Sequence, residues 1–345
     1  MAQELETSTT LKYASLLTLT VQNTLLIVSM RYSRLVPPEQ RYITTTAVVF
    51  SEFAKMCVCL LIIFFREKTF KEFVKTLHHH LIEEWKDTLK MSVPAIVYMI
   101  QNNLQYVAVS NLEAAVFQVT YQLKILTTAL FSVLLLSKKL SGAQWGSLVI
   151  LFVGVAFVQV QGGGTSKVNT TDQNQIVGLI AVIVSCLSSG FAGVYFEMML
   201  KGSNVSVWMR NVQLGMFGSI TAILGVLLKD YDTIQKNGYF VGYSPLVWIV
   251  ISQQAFGGLI VALVVRYADN ILKGFATSLS IILSCIAAVF LFDYFITPFF
   301  AIGAVFVMVA IYLYGKPRAQ QPTSPLLADK KDQDEQLPIK KLTPT

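Results

Sequence analysis

Long runs of apolar residues, separated by short polar segments, dominate the chain. Ten of these runs have about the 20 residues that an α-helix needs to cross the hydrocarbon of a bilayer. They cover residues 11–30, 43–65, 90–110, 114–136, 144–161, 176–200, 207–228, 246–265, 270–292 and 297–315. This pattern predicts an all-α membrane protein with ten transmembrane helices.

The composition supports this class and gives the chain an orientation. Of the 345 residues, 54% are hydrophobic and 14% are charged, and the mean hydropathy is +0.58. A soluble protein of this length could not bury so much apolar surface. The net charge of +7 does not indicate a nucleic-acid partner, because the basic residues lie mainly in loops that flank the spans. The loops on the side of both termini carry 17 Lys and Arg residues against 6 on the other side, so both termini are predicted to be cytosolic.

An internal duplication relates the two halves of the chain. The stretches Tyr121–Leu136 and Asn270–Phe290 align at an offset of 149 residues, which carries Lys124 onto Lys273. One lysine inside each half, at equivalent positions, is typical of a transporter whose site lies between two repeats near the bilayer midplane. The same offset pairs Thr128 with Thr277, Gly154 with Gly303, Phe157 with Phe306 and Val158 with Val307.

The domain organisation follows from the duplication. Residues 1–10 are polar and form a cytosolic N-terminal segment, residues 11–161 form the first half and residues 176–315 form the second. A Gly-rich lumenal linker over residues 162–175 joins the two halves. The tail over residues 316–345 carries prolines among charges and is predicted to be disordered and cytosolic.

The longest internal loop, over residues 66–90, has apolar residues at helical spacing and is predicted to be an amphipathic helix on the cytosolic interface. It contains His78, His79 and His80, for which a metal or pH-switch role is conceivable. Because consecutive side chains fan out around a helix, we expect a solvated loop and no metal site here. The four cysteines all lie in apolar runs and indicate neither a disulfide framework nor a metal site, and no cofactor is predicted.

Apart from Lys12 and Lys90 at the very ends of their spans, six charged residues lie inside the predicted spans, where each needs a partner or a ligand. Four of them are interpreted as structural or gating ion pairs: Glu52, Lys55, Glu197 and Arg210. No acid lies in the helix interiors that hold Lys124 and Lys273, so these two lysines are predicted to bind an anionic ligand. The alternative is that their side chains extend towards the membrane interface. This alternative applies to Lys273 in particular, because it lies near the start of its helix.

Amides and aromatic rings concentrate in two neighbouring spans. Amides match the edge of a base, rings stack on it, and lysine is a point charge for phosphate, so a phosphorylated solute with a ring system fits best. Hydrogen bonds between helices are the alternative role for the amides. No motif of a hydrolase or other enzyme is present, and an enzyme is disfavoured. The residues concerned are Tyr98, Gln101, Asn102, Asn103, Gln105, Tyr106, Gln118, Thr120, Tyr121 and Gln122.

Five segments of the chain resemble the nucleotide-sugar transporter family of the drug/metabolite transporter superfamily, in the branch that carries UDP-galactose and UDP-N-acetylglucosamine. The resemblance spans about residues 11–315. It implies ten helices in two inverted five-helix repeats, a Golgi membrane location and exchange of lumenal UMP for a cytosolic UDP-sugar. The segments are QNNLQ at 101–105, SNLEAAVFQVTYQLKIL at 110–126, SSGFAGVYFE at 188–197, VWMRNVQ at 207–213 and YADNILKGFATSLS at 267–280.

The resemblance also assigns roles to residues. It implies that Lys124 and Lys273 hold the phosphates, and Phe117 matches the uridine branch where a similar CMP-sialic acid transporter has tyrosine. One departure is Met198, where the family usually has lysine, so a Glu197–lysine pair at this helix end is in question. The remaining predicted substrate-binding residues are Tyr98, Asn102, Asn103 and Tyr121 in the first half, and Tyr195 and Asn211 in the second.

UDP-galactose is the favoured substrate, and the alternative is UDP-N-acetylglucosamine, alone or together with UDP-N-acetylgalactosamine. From another functional class, a membrane scaffold without transport stays open. The partners implied are a UDP-sugar, UMP and membrane lipids. Homo-oligomerisation and association with Golgi glycosyltransferases are left open.

Overall fold

The computed structural model of the protein describes residues 2–33, 36–37, 40–67, 69–112, 114–160, 174–292 and 297–315. Over these residues the fold is helical, with no β-strand. Among the described residues one π-helical turn, His79–Glu83, interrupts the series of α-helices. The α-helices are α1 (Ala2–Tyr32), α2 (Thr44–Glu67), α3 (Phe70–His78), α4 (Trp85–Lys90), α5 (Ser92–Asn111), α6 (Ala114–Tyr121), α7 (Lys124–Leu136), α8 (Gly142–Val160), α9 (Gln175–Lys201), α10 (Val207–Lys229), α11 (Tyr231–Asn237), α12 (Pro245–Tyr267), α13 (Asn270–Phe292) and α14 (Pro298–Gly315).

Seven helices among the described residues are long and apolar enough to cross a membrane, so the protein is a multi-pass membrane protein. They are α1 over Thr10–Met30, α2, α9, α10, α12, α13 over Asn270–Leu291 and α14. The other three predicted spans coincide with α5, with α6 and α7 together, and with α8. These three spans are not among the seven for local reasons. Amides lower the hydropathy of α5, and the described apolar parts of α7 and α8 are too short.

The run over residues 114–136 forms two helices and not the single continuous helix that was predicted. Around Gln122 the backbone tightens to bonds between residues three apart, from Leu123 N to Thr120 O (3.0 Å) and from Ile125 N to Gln122 O (3.0 Å). The thiol of Cys186 on α9 donates to the carbonyl of Tyr121 (3.4 Å), which stabilises the interruption. As a result α7 begins at Lys124, in the middle of the apolar run.

The helix packing follows a regular pattern. Helix α2 packs against α10, and α8 packs against α14. Three further arrangements occur twice: α5 on α9 matches α12 on α1, α7 on α9 matches α13 on α1, and α2 on α12 matches α10 on α5. The helices correspond in chain order: α1 to α9, α2 to α10, α5 to α12, α6 with α7 to α13, and α8 to α14. When each helix is exchanged with its counterpart, every contact named here becomes another contact of the set or stays the same.

The crossing of α8 and α14 shows the same relation at the level of residues. A Cβ atom on Gly154 would lie 2.8 Å from Phe306 Cβ, and one on Gly303 would lie 2.6 Å from the carbonyl oxygen of Gly154. These two glycines are equivalent in the duplication, and so are Phe157 and Phe306, whose ring centroids lie 6.1 Å apart. The helices therefore approach closely at repeat-related positions, and only glycine fits at the two points of contact.

The loop over residues 66–90 is helical as predicted, but it is formed by α3, the π turn and α4 rather than by one continuous helix. The expectation that the histidine side chains diverge is wrong for His79 and His80, whose ring centroids lie 5.0 Å apart. The π turn changes the angle between successive side chains from that of an α-helix.

Two predicted segments fall mainly outside the described residues. The tail over residues 316–345 lies outside them entirely, and so does the linker over residues 162–175 apart from its last two residues, where Asn174 caps α9 by accepting from Val177 N (3.2 Å). At the other end of the chain, the backbone of α1 begins at Ala2. The N-terminal segment is therefore continuous with the first helix.

Candidate functional site

A cavity of about 190 Å³ lies between α5, α7, α9 and α13. The first two of these helices belong to the first half of the chain and the other two to the second. The cavity is lined by Tyr98, Gln122, Lys124, Ile125, Thr128, Ser189, Asn270, Ile271, Lys273, Gly274, Thr277, Ser278 and Ile281. The structure thus brings together both lysines predicted to bind an anion, together with Tyr98.

Neither lysine has an ion pair or a side-chain hydrogen bond within the described part of the chain. Lys124 is the first residue of α7, and its Nζ lies 4.4 Å from the centre of the Tyr121 ring. This cation–π contact leaves the three N–H donors of the ammonium group available. Lys273 lies in the first turn of α13. Two cations that share one cavity without a carboxylate are suited to bind a multiply charged anion.

A threonine lies one helical turn beyond each lysine. Thr128 follows Lys124 by four residues and Thr277 follows Lys273 by four, and both threonines line the cavity. Residues four apart lie on the same face of a helix, so the duplication repeats a face that carries a cation and a hydroxyl.

Tyr121 is held in place from two sides. Its hydroxyl accepts hydrogen bonds from Gln101 Nε2 (3.0 Å) and Gln105 Nε2 (3.1 Å) on α5. Its ring stacks on that of Phe117, with the centroids 5.5 Å apart and the planes 14° apart. The arrangement fixes the aromatic face against which Lys124 lies.

The structure does not bring the other predicted binding residues to this cavity. Asn102 and Asn103 are exposed, and the amide of Asn103 donates to Met99 O of its own helix (2.9 Å). Asn211 is buried and likewise donates to its own helix, at Val207 O (2.8 Å). Tyr195 contacts the ring of Phe191, and Phe117 reaches the site only through Tyr121.

Several polar cavity residues were not singled out from the sequence as binding residues, among them Ser189, Asn270 and Ser278. Asn270 is 3% exposed, and its Oδ1 atom is buried without a hydrogen-bond partner among the described residues. Its backbone N donates to Glu197 (2.9 Å), so its position depends on the neighbouring acid. The repeat alignment gave a signal for Thr128 and Thr277. Ser189 and Ser278 lie in segments that carry the family resemblance, but nothing in the repeat alignment singled them out.

A buried ion-pair cluster lies next to the cavity. Glu197 is fully buried, and its Oε1 atom accepts from Lys138 Nζ (2.8 Å) and Lys201 Nζ (2.9 Å). Lys138 also lies 3.3 Å from the carboxylate of Asp269. Glu197 therefore pairs with lysine although Met198 occupies the position next to it. The cluster ties the ends of α7 and α9 to the start of α13.

The other ionisable residues in the predicted spans also have partners. Lys55 pairs with Glu52 (2.5 Å) on α2. Arg210 pairs with Asp87 of α4 (2.7 Å) and donates to Gln213 Oε1 (2.9 Å). Partial burial acts to raise the pKa of Asp87, but the hydrogen bond and charge of Arg210 outweigh it and hold that pKa below its usual value.

Comparison with known proteins decides the family. The model of the nucleotide-sugar transporter family matches residues 7–315. The chain belongs to the nucleotide-sugar transporter family. As a member of this family it is a transporter and not an enzyme, which agrees with the absence of catalytic motifs in the sequence.

Individual members of the nucleotide-sugar transporter family are closely similar to the chain. It is 56% identical to the UDP-galactose translocator of Mus musculus, over 89% of this chain and 79% of that protein. It is 52% identical to the UDP-N-acetylglucosamine transporter of Rattus norvegicus, over 89% of this chain and 96% of that protein. A crystal structure of a protein with 13% identity shares the fold, with a TM-score of 0.61 over 88% of this chain and 97% of that one.

Proposed function

We propose that this nucleotide-sugar transporter is a Golgi antiporter that brings a UDP-sugar into the lumen in exchange for UMP by alternating access. The observation that carries the proposal is the pair of repeat-related lysines, Lys124 and Lys273, without ion-pair partners in one cavity between the two halves. The names of the similar transporters support uridine as the base and leave two sugars, galactose and N-acetylglucosamine.

The cavity suits the part that UMP and a UDP-sugar have in common. Ligand pockets usually measure roughly 300–1,000 Å³, so a cavity of about 190 Å³ accommodates the phosphates and their immediate surroundings rather than the whole ligand. The lysines supply the charge, and Thr128 adds a hydroxyl one turn beyond Lys124. The hydroxyl of Thr277 donates to Lys273 O of its own helix (2.9 Å). We place the uridine on the side of the cavity towards α5, next to the stacked rings of Tyr121 and Phe117. The roles of Tyr98, Asn102, Asn103, Tyr195 and Asn211 towards the nucleoside remain proposals.

The symmetry of the helix packing supports an arrangement of ten spans in two inverted five-helix repeats. The first repeat comprises α1, α2, α5, α6 with α7, and α8, and the second comprises α9, α10, α12, α13 and α14. The interhelical contacts map onto one another under exchange of the two sets. An odd number of spans in each repeat makes the repeats inverted across the membrane.

The excess of basic residues orients the protein with both termini in the cytosol. In that orientation the cluster around Glu197 lies at the cytosolic end of the cavity. It connects α7 of the first repeat to α9 and α13 of the second. We interpret it, together with the Glu52–Lys55 and Arg210–Asp87 pairs, as structural or gating.

Uptake of labelled UDP-galactose, UDP-N-acetylglucosamine and CMP-sialic acid into UMP-loaded proteoliposomes tests the substrate. We expect uptake of at least one UDP-sugar well above that of CMP-sialic acid, with UDP-galactose the preferred substrate. A preference for CMP-sialic acid would contradict the uridine assignment. No uptake of any of the three, by protein that is shown to be folded, would favour a membrane scaffold.

A further inference from the structure

Three potential metal ligands converge on the segment between α3 and α4, outside the transport site. The ligand atoms of His79, His80 and Glu84 all lie within 4.8 Å of one another. His80 Nδ1 lies 2.9 Å from one carboxylate oxygen of Glu84, and His79 Nε2 lies 3.7 Å from the other. Both oxygens of one carboxylate therefore face an imidazole nitrogen.

The π-helical turn explains why these side chains meet. Its defining bond runs from Glu84 N to His79 O (2.9 Å), between residues five apart. In an α-helix the residue beneath His79 would be Glu83, but the extra residue of the π turn brings Glu84 beneath His79 as well. Glu84 is also four residues from His80, so a single carboxylate serves two histidines.

The backbone of this segment is fixed to the transmembrane helices. The carbonyl of His80 accepts from Thr88 Oγ1 (2.6 Å) and from Nε2 of the buried Gln213 on α10 (3.4 Å). Gln213 in turn accepts from Arg210 (2.9 Å). All three side chains reach solvent to some extent, with that of His79 51% exposed, that of Glu84 42% and that of His80 24%. A site with a fixed backbone and accessible ligand atoms can exchange an ion with the solvent.

We propose that His79, His80 and Glu84 form a binding site for Zn²⁺. Two imidazole nitrogens and one carboxylate oxygen are a donor set that binds Zn²⁺ in proteins, and a water molecule would complete four-coordination. Mg²⁺ and Ca²⁺ prefer oxygen ligands and bind poorly to imidazole. Zn²⁺ would replace the hydrogen bond between His80 and Glu84 and hold α3 and α4 in their present orientation against α10.

The chain provides a matched control in His78. It is adjacent to the proposed ligands and about as exposed as His79, at 55%, but it faces Glu83 (3.2 Å) and is not part of the converging group. Removing His78 takes away a surface imidazole without taking away a proposed ligand. If Zn²⁺ bound nonspecifically to a histidine-rich surface, removing His78 would weaken binding as much as removing His79.

Isothermal titration of Zn²⁺ into the full-length protein, purified in detergent without a histidine tag, tests the proposal. We expect one Zn²⁺ per chain, with affinity at least about tenfold lower in His79→Ala and Glu84→Gln, since even outer-shell changes cost about 10–100-fold. Affinity should be unchanged in His78→Ala, and Mg²⁺ should not compete. A wild-type protein that binds no Zn²⁺ would overturn the proposal, as would equal loss of affinity in the His78 variant.

A second readout is the thermal unfolding temperature in detergent with and without Zn²⁺. A ligand that binds only the folded state raises this temperature, so Zn²⁺ should raise it in the wild type and in His78→Ala but not in Glu84→Gln. An equal rise in all three proteins would contradict the site. Both readouts are independent of transport, so their failure would leave the proposed function intact.

Discussion

Replacing Lys124 or Lys273 with alanine is expected to reduce UDP-sugar exchange in proteoliposomes to the level of protein-free vesicles. Each lysine lines the cavity without an ion-pair partner among the described residues, so its charge is available to the phosphates. A hydrogen bond to a charged group contributes about 1.5–3 kcal/mol. Because about 1.4 kcal/mol is a tenfold change, losing more than one such bond lowers exchange by well over tenfold.

Lys139→Ala is the matched control for both substitutions. It removes the same charge and side chain from an exposed position just beyond the end of α7, away from the cavity. We expect exchange by this variant at the wild-type rate. Equal amounts of each protein in the vesicles, measured by immunoblot, exclude loss of protein as the cause. Exchange near the wild-type rate in the Lys124 or the Lys273 variant would refute the phosphate-binding role of that lysine.

Gly303→Ala is expected to lower the thermal stability of the protein strongly in detergent. A Cβ atom at this position would lie 2.6 Å from Gly154 O and 2.8 Å from Val158 N, both of which are backbone atoms. Relief of the contact requires α8 and α14 to move apart, and overpacking of this kind costs about 1–3 kcal/mol and occasionally more. The measurement is the unfolding temperature, taken as the temperature at which the protein loses its monodisperse peak in size-exclusion chromatography.

Gly146→Ala is the control on α8. Apart from the backbone of its own helix and its chain neighbours, a Cβ atom there would have no described atom within 4 Å. Alanine is favoured over glycine in a helix by about 1 kcal/mol, so this variant should be as stable as the wild type or more stable. The same preference acts in Gly303→Ala, so a loss of stability there arises from the clash. Equal stability of the two variants would show that α8 and α14 do not approach as closely as described.

The features of this fold that repeat along the chain could be predicted from the sequence. The apolar runs located the helices, because a run of spanning length can satisfy its backbone groups in a bilayer only as a helix. The lysines were found because a cation in such a run is costly, and the offset of 149 residues paired them. In the structure both lysines and Tyr98 line one cavity, whose walls come from both halves of the chain.

Features that depend on distant neighbours could not be predicted in this way. The break before Lys124 is stabilised by the thiol of Cys186, which is 65 residues from Tyr121 in the sequence. Glu197 pairs with Lys138, 59 residues away, as well as with Lys201 one turn along its own helix. The apolar pattern is the same with or without these contacts.

The amide side chains show a second limit of prediction from sequence, which concerns the role of a residue and not its location. Asn102, Asn103 and Asn211 have the chemistry of a base-binding site, but an amide can also bond to its own helix, as those of Asn103 and Asn211 do here. Composition does not distinguish these two uses. Conversely, Asn270 lies at a helix start, where asparagine is common, and only the three-dimensional structure places its side chain in the cavity.

The most direct test of the account is uptake of labelled UDP-galactose into proteoliposomes loaded with UMP, compared with uptake into empty ones. The proposed antiport predicts rapid uptake into the loaded vesicles and little into the empty ones, because the two lysines would be left unpaired in an unloaded site during the return step. Equal uptake into loaded and empty vesicles would contradict exchange.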